Sequence, residues 1–124
     1  MKKVISTTAA PGAIGPYSQA IDTGSFVFAS GQIPLNPANG EVVEGIKAQT
    51  EQSIANVTAI LNEAGLTLDN VVKTTVFLAD MNDFAAMNEV YGNAFKAPYP
   101  ARSAVAVREL PKKVLVEIEV IAMR

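Results

Sequence analysis

The side chains in this chain that could do chemistry are carboxylates, lysines, arginines, tyrosines and hydroxyls, because histidine and cysteine are both absent. Ser-His-Asp triads, Cys-His dyads and metal sites built on thiolate or imidazole are therefore excluded. The basic residues include three arginines, Arg102, Arg108 and Arg124. Since a rigid pair of hydrogen bonds to a carboxylate is typical of arginine, a site for an anionic substrate has few candidates.

The sequence spacing brings unlike charges together at three residues, Arg102, Glu117 and Glu119. In the C-terminal strand that the alternation predicts, both glutamates point to the face opposite the apolar side chains. If the strand that starts at Arg102 pairs with it as a hairpin, with Ala104 opposite Glu117, then Arg102 faces Glu119 and lies roughly 7 to 8 Å from Glu117 between Cα atoms. We therefore expect the three charges to share one face of the sheet.

Two interpretations of this cluster stay open. In the structural one, the charges form a ladder of cross-strand ion pairs on a solvated face. In the functional one, the small side chain of Ala104 leaves space beside Arg102, and the arginine binds a carboxylate while a glutamate activates water. Leu115, Ile121 and Met123 surround the glutamates with apolar surface, which favours cover by another subunit.

The elements that must position these residues follow from the hydrophobic periodicity along the chain. Short β-branched or aromatic runs predict strands, and apolar residues at three-to-four spacing predict two helices, the first stopped by Gly65 and the second by Pro98. In chain order, the predicted elements are a strand at 3–6, a strand at 26–30, a helix from Ile46, a strand at 71–79, a helix capped by Asn82 or Asp83, and strands at 102–108 and 114–123. This order predicts an α+β fold, a mixed β-sheet with two helices on one face.

Length and composition predict one domain that associates with copies of itself. The 124 residues leave no room for a second independent core, so we expect residues 1–124 to form a single domain. Hydrophobic residues make up 49% of the chain and charged residues 18%, with a mean hydropathy of +0.23. Some apolar surface should therefore remain for a partner, and the simplest partner is another copy of the chain.

Charge and the N-terminal sequence disfavour several partners and locations. The net charge is -2 and the basic residues are scattered, so no stripe exists to follow a nucleic-acid backbone, and no nucleic-acid partner is expected. After Lys2 and Lys3, polar residues interrupt any signal-peptide core, and no apolar run approaches the roughly 20 residues of a membrane span. We expect a cytoplasmic protein without membrane contact.

Several blocks of the sequence resemble one family, reactive intermediate/imine deaminase A, RidA, whose members are also described as YjgF-like. The most specific stretch is Pro-Ala-Arg-Ser at 100–103, followed by Val-Glu-Ile at 116–118. Blocks at 13–19, 30–34 and 72–77 are also similar to the family, in the same order along the chain. The resemblance covers nearly the whole chain.

The resemblance implies a chorismate-mutase-like fold, a homotrimer with clefts between subunits, no metal and no organic cofactor. It also implies hydrolysis of reactive 2-imino acids or 2-aminoacrylate to 2-keto acids and ammonia. Carried over to this chain, Arg102 holds the substrate carboxylate and Glu117 positions or activates water. The implied pocket is lined by Tyr17, Ser30, Gly31 and Asn88. Many relatives have cysteine where this chain has Ala104, so a direct thiol role does not operate here.

The residue types suit these roles to different degrees. Arg102 can make paired hydrogen bonds to a planar carboxylate, and Gly31 lets a ligand approach its backbone N–H. Burial would raise the pKa of Glu117 and a nearby arginine would lower it, and the sequence leaves that balance open. The structural alternatives are a loop aromatic packed on the sheet for Tyr17, a strand hydroxyl for Ser30 and an exposed helix position for Asn88.

Three classes of function would use these residues differently. An enzyme would lose turnover when Arg102 or Glu117 is changed while its assembly survives. A binding or regulatory module would use the same arginine to hold a keto acid without turnover. An RNA-acting or chaperone-like protein is the third class, and the acidic pI of about 5.0 disfavours the RNA-acting form.

Overall fold

The computed structural model describes residues 2–124, which form one sheet and two long helices. The strands are β1 (Lys3–Ile5), β2 (Ala20–Asp22), β3 (Phe26–Gln32), β4 (Val71–Leu78), β5 (Ala101–Ala106) and β6 (Val116–Met123). The helices are α1 (Ile46–Glu63) and α2 (Phe84–Ala94). Within this part of the chain, no helix is both long and apolar enough to cross a membrane.

The sheet is mixed, with the strand order β1-β2-β3-β6-β4-β5. Neighbouring strands are antiparallel except β4 and β5, which run parallel. The parallel pair follows from the connection, because α2 lies between β4 and β5 and a strand-helix-strand unit brings the chain back in its original direction. The predicted α+β fold with a mixed sheet is confirmed.

Both helices pack on the same face of the sheet, as the periodicity predicts. Helix α1 ends just before Gly65, whose φ of 78° is the left-handed conformation that commonly stops a helix. The core lies between the helices and the sheet, and alternate residues of β6 enter it. Its most buried side chains include Val57, Ile60, Leu61, Val76, Met87, Val116, Ile118 and Val120.

The opposite face of the sheet, which we call the free face, carries no helix. Glu117 and Glu119 lie on it, as the alternation along β6 predicts, and both are partly buried. Large apolar side chains around them remain 37 to 50% exposed, namely Phe26, Phe28, Val105 and Met123. An apolar surface of this kind is typical of a site of protein association.

The predicted hairpin of the last two strands is wrong, because β4 lies between β5 and β6. The connection from β5 to β6 passes the end of β4. On one side of that end the N–H of Val107 donates to the Leu78 carbonyl, and on the other the N–H of Ala79 donates to the Leu115 carbonyl. Ala104 therefore pairs with Val76 of β4, whereas Glu117 pairs with Phe77.

Candidate active site

Arg102 lies on β5, the edge strand, and its side chain is on the face covered by α2. It pairs in register with Thr74, which is completely buried beneath the helices. Adjacent residues of paired strands point to the same face, so Arg102 follows Thr74 toward the helices. The expected cluster of Arg102 with Glu117 and Glu119 on one face is therefore wrong, and the ladder of ion pairs is excluded with it.

Three side chains on one face of α2 contact the Arg102 guanidinium. Its Nη1 group donates a hydrogen bond of 2.7 Å to Oδ1 of Asn88. Its Cζ atom lies 4.7 Å from the ring centroid of Tyr91 and 5.5 Å from that of Phe84, within the range of cation–π attraction. The spacing of 84, 88 and 91 along the helix places these side chains in a row. We call Arg102, Asn88, Phe84 and Tyr91 the arginine half-site.

One edge of the guanidinium remains available to a ligand. Among residues 2–124, Nε and Nη2 of Arg102 have no hydrogen-bond acceptor, and this edge can donate to both oxygens of a carboxylate. The arginine borders a pocket of about 320 Å³, which Tyr99 and Pro100 also line. Asn88 thus lies beside the predicted arginine, where its carbonyl oxygen orients the guanidinium.

Glu117 lies on the free face beside a bulge in β3. Ala29 pairs with Val120 and Gln32 with Ile118, so Ser30 and Gly31 together stand opposite a single residue of β6. The Glu117 side chain crosses directly over Gly31: a Cβ atom at position 31 would lie 2.8 Å from Cδ of Glu117 and still closer to its Oε2. Glycine is required there because any side chain would displace the carboxylate.

The pKa of Glu117 is raised above the usual value for a glutamate. Burial is the larger cause, since it disfavours the charged form, and the negative charge of Glu119 is the second. Arg102 does not counter either effect within one chain. A carboxylate with a raised pKa is suited to taking up and returning a proton at a reacting centre.

Tyr17 and Ser30 lie on the same side of the molecule as Glu117. The Tyr17 side chain is 52% exposed and borders two pockets, one of about 410 Å³ that includes Ser30 and one of about 290 Å³ that includes Gly31. Its hydroxyl accepts a hydrogen bond of 3.4 Å from the N–H of Ile14. We call Glu117, Gly31, Ser30 and Tyr17 the glutamate half-site.

Hydrogen bonds from buried side chains hold the loop that carries Tyr17. Oε1 of Gln19 accepts from the N–H of Thr7 at 2.7 Å, and its Nε2 donates to the Pro11 carbonyl at 2.7 Å. The Ser30 hydroxyl donates to the Ser18 carbonyl at 2.6 Å, which connects the loop to the bulge. The Ser30 hydroxyl therefore has a structural hydrogen bond, as the structural interpretation expects, while its oxygen can still accept a hydrogen bond from a ligand.

The two half-sites of one chain lie far apart and face opposite ways. Two strand spacings separate β5 from β6, or about 10 Å, and the pairing partners of Arg102 and Glu117 on β4 are three residues apart, or about 10 Å along the strand. The sheet itself stands between the side chains. A small substrate cannot contact both half-sites of the same chain.

Phe84 and Tyr91 are site residues that the sequence analysis did not assign. They belong to the row of apolar residues that predicts α2. From the sequence alone, an aromatic residue in such a row that contacts a charged group cannot be distinguished from one that packs in the core. Asn88, a polar residue within that row, was the available signal. Within the described residues there is no group of three acidic side chains that could hold a metal ion.

The fold shows the class of domain. It is a chorismate-mutase-like α+β domain, whose sheet has helices on one face and a free face on the other. The chain belongs to the YjgF/RutC family, which includes RidA. Residues 7–124 match the family model described as "Endoribonuclease L-PSP". The predicted family is therefore confirmed over almost the whole chain.

Named relatives match along their full length. A RutC family protein of Pyrococcus horikoshii is 58% identical, with 100% of this chain and 99% of the relative covered. The 2-iminobutanoate/2-iminopropanoate deaminase of Salmonella typhimurium is 53% identical, with the same coverage. The crystal structure of Escherichia coli TdcF with bound serine is 52% identical, covers 98% of each chain and superposes with a TM-score of 0.96.

Proposed function

We propose that this protein is an imine and enamine hydrolase that converts 2-imino acids and 2-aminoacrylate to 2-keto acids and ammonia. The observation that carries the proposal is the Arg102 guanidinium: three side chains of α2 contact it, the arginine borders a pocket, and its Nε and Nη2 have no acceptor among residues 2–124. The names of the relatives support it, since one is a 2-iminobutanoate/2-iminopropanoate deaminase and another was solved with bound serine, an amino acid with a carboxylate.

In the proposed reaction, Arg102 holds the substrate carboxylate and Glu117 handles the protons. 2-Aminoacrylate first takes up a proton at its terminal carbon and so becomes a protonated imine. Water adds to the carbon of the protonated C=N bond, with one proton passing to Glu117, and forms a carbinolamine. Glu117 then returns that proton to nitrogen, the C–N bond breaks as the hydroxyl group gives its own proton to the Glu117 carboxylate, and ammonia and a 2-keto acid are released. The raised pKa of Glu117 favours this exchange because the carboxylate must act as base and then as acid. No metal or organic cofactor takes part.

We propose further that each site is shared between two copies of the chain in a homotrimer. The arginine half-site of one chain and the glutamate half-site of the same chain face opposite ways, so only a second copy can bring them to one substrate. The apolar free face supplies surface for this association. Tyr17, Ser30, Gly31 and Asn88 would then line the shared cleft. The number three rests on the resemblance to RidA. The cytoplasmic location expected from the sequence stays a prediction.

The test is a coupled assay in which 2-aminoacrylate is generated beside the purified protein and ammonia and keto acid are measured. We expect turnover by the wild type and a loss of about 10² to 10⁴-fold in Glu117→Gln, which keeps the shape of the side chain and removes the base. Saturable keto-acid binding without ammonia release would instead identify a binding module. Because the family description names an endoribonuclease, the same preparations should be incubated with RNA; cleavage without deamination would overturn the proposal.

A further inference from the structure

We infer that Tyr91 is a positioning residue for Arg102, and that Thr74 fixes the Tyr91 ring. The inference deepens the proposed function, since it rests on the role of Arg102 as the group that holds the substrate carboxylate. We call the two rings that flank the guanidinium, those of Tyr91 and Phe84, the aromatic bracket. The bracket explains how a long, flexible side chain on an edge strand keeps one orientation.

Tyr91 contacts both Arg102 and Thr74, and these two residues also pair with each other. The guanidinium lies 4.7 Å from the Tyr91 ring centroid, and the Tyr91 hydroxyl shares a buried hydrogen bond of 2.8 Å with Oγ1 of Thr74. Thr74 in turn pairs in register with Arg102 on the neighbouring strand. The residue that anchors the ring is therefore the direct neighbour of the residue that the ring supports. The distance between the Tyr91 ring and the Arg102 backbone is therefore set by the pairing of one strand, β4, with its neighbour β5.

The ring itself has little freedom to move. Tyr91 is 5% exposed, Thr74 is fully buried, and the Phe95 ring stacks on Tyr91 with 4.4 Å between centroids. Burial raises the pKa of Tyr91, so its hydroxyl keeps its proton and remains able to donate to Thr74. A cation is attracted to the face of a ring held in this way, whereas carboxylates bind in the plane of the guanidinium.

The bracket and Asn88 restrict Arg102 in complementary directions. The two rings lie against the guanidinium, with centroids 4.7 and 5.5 Å from Cζ, and the hydrogen bond from Nη1 to Asn88 fixes the position of one of its N–H groups. The side chain loses its rotamer freedom when the protein folds, so binding a carboxylate does not have to order it again. Removing the ring should weaken carboxylate binding even though every group that contacts the substrate is still present.

The first measurement reads the guanidinium without any substrate. The chain has three arginines, so the Nε–Hε region of a ¹H–¹⁵N spectrum is simple, and Arg102→Lys identifies the signal of Arg102 by removing it. In the wild type this signal should be shifted by the ring current. In Tyr91→Leu it should move toward the position of a free arginine. Tyr91→Phe keeps the ring but loses its hydrogen bond to Thr74, so its signal should lie between those of the wild type and Tyr91→Leu.

Two further variants separate the bracket from general damage to the pocket. Phe84→Leu removes the second ring from a partly buried position and is useful if Tyr91→Leu does not fold. Tyr99→Leu removes another tyrosine of the same pocket, one whose ring does not stack on Arg102, and should leave the signal in place. An unchanged Arg102 signal in both Tyr91→Leu and Phe84→Leu would overturn the inference.

The second measurement is the dissociation constant of 2-oxobutanoate, a carboxylate product, together with kcat and KM for deamination. We expect Tyr91→Leu to weaken binding and raise KM roughly tenfold, and Tyr91→Phe to change them far less. A merely structural tyrosine would lower the melting temperature of both variants without this difference in KM. If the wild type binds the keto acid but releases no ammonia, the proposed hydrolase falls, while the spectrum and the affinities still decide the role of Tyr91.

Discussion

At the scale of single residues, Arg102 contacts Asn88, Phe84 and Tyr91 rather than a carboxylate of its own chain. Arg102→Lys keeps the positive charge near the rings but replaces the planar fork with a single ammonium group. We expect kcat/KM to fall roughly tenfold to more than a hundredfold in both Arg102→Lys and Arg102→Ala. This loss corresponds to about 1.5 to 3 kcal/mol of transition-state stabilisation.

Initial rates on 2-aminoacrylate and on a bulkier imino acid would measure this loss, with thermal melts and sedimentation to confirm that both variants are folded and assembled. Near-normal kcat/KM for Arg102→Lys on both substrates would remove the fork from the mechanism. The arginine would then act only through its charge.

At the same scale, we expect the charge of Glu119 to influence the proposed reaction through the pKa of Glu117. Its carboxylate is the second cause of the raised pKa of Glu117, after burial. Glu119→Gln removes a like charge, so the pKa of Glu117 should fall and the acidic limb of the kcat/KM profile should move to lower pH. Burial is unchanged, so the limb should stay above the range of an ordinary glutamate.

The control for this shift is Glu63→Gln, which makes the same chemical change at an exposed position at the end of α1. Rates measured from pH 4 to 9 for the two variants and the wild type would test it. An acidic limb that does not move in Glu119→Gln would show that another group controls the profile.

At the scale of elements, the bulge in β3 determines where the Glu117 carboxylate rests. Gly31→Ala would place a methyl group where the carboxylate now lies, so we expect the side chain to shift and kcat to fall by about tenfold or more. Because the clash is with the end of a side chain and not with backbone, the melting temperature should change little. The Gly31 backbone has a negative or extended φ, so alanine brings no backbone strain.

Gly12→Ala provides the matched control for Gly31→Ala. It is the same substitution beside the pocket that Gly12 lines together with Tyr17 and Gly31, but an added Cβ at position 12 meets no atom within 4 Å. Kinetics and melts on both variants would distinguish displacement of the carboxylate from a general effect of replacing glycine. Equal activity of the two variants would contradict the proposed contact.

At the scale of the whole molecule, the separation of the half-sites makes a prediction about mixed assemblies. Arg102→Ala lacks the central residue of one half-site and Glu117→Gln that of the other, so we expect each variant alone to be at least tenfold less active than the wild type. If every site takes its arginine and its glutamate from different chains, random co-assembly of equal amounts should restore about one quarter of the sites. Each restored site combines the intact arginine of one variant with the intact glutamate of the other.

The experiment is to refold or co-express the two variants together and to compare their rate with that of the same proteins mixed after assembly. Sedimentation of the wild type at micromolar concentration would establish whether it is a trimer. Recovery only after co-assembly supports shared sites. No recovery from well-mixed trimers would place the whole site within one chain, contrary to the geometry of the sheet.

Much of the fold was available from the sequence because burial imposes a local period. The alternation along β6 predicts which side chains enter the core and which reach the free face, and the three-to-four spacing predicts both helices with their ends near Gly65 and Pro98. The sequence did not predict the three-residue strand β2, because that strand is too short to show a period. The resemblance to the family also named Arg102 and Glu117 as candidate site residues, although it did not name Phe84 and Tyr91, and the proposed roles stay predictions.

Strand order is the property that only the tertiary structure decided. Two strands joined by a short segment suggest a hairpin, but β4, which came earlier in the chain, occupies the place between them. The helix between β4 and β5 was the available signal, since such a unit pairs its strands in parallel. Pairing is a competition among all strands for the same edges, and local sequence does not encode its result. That result sends Arg102 toward α2, whereas Glu117 stays on the free face that the alternation along β6 predicts, and a second copy of the chain thereby becomes part of the proposed site.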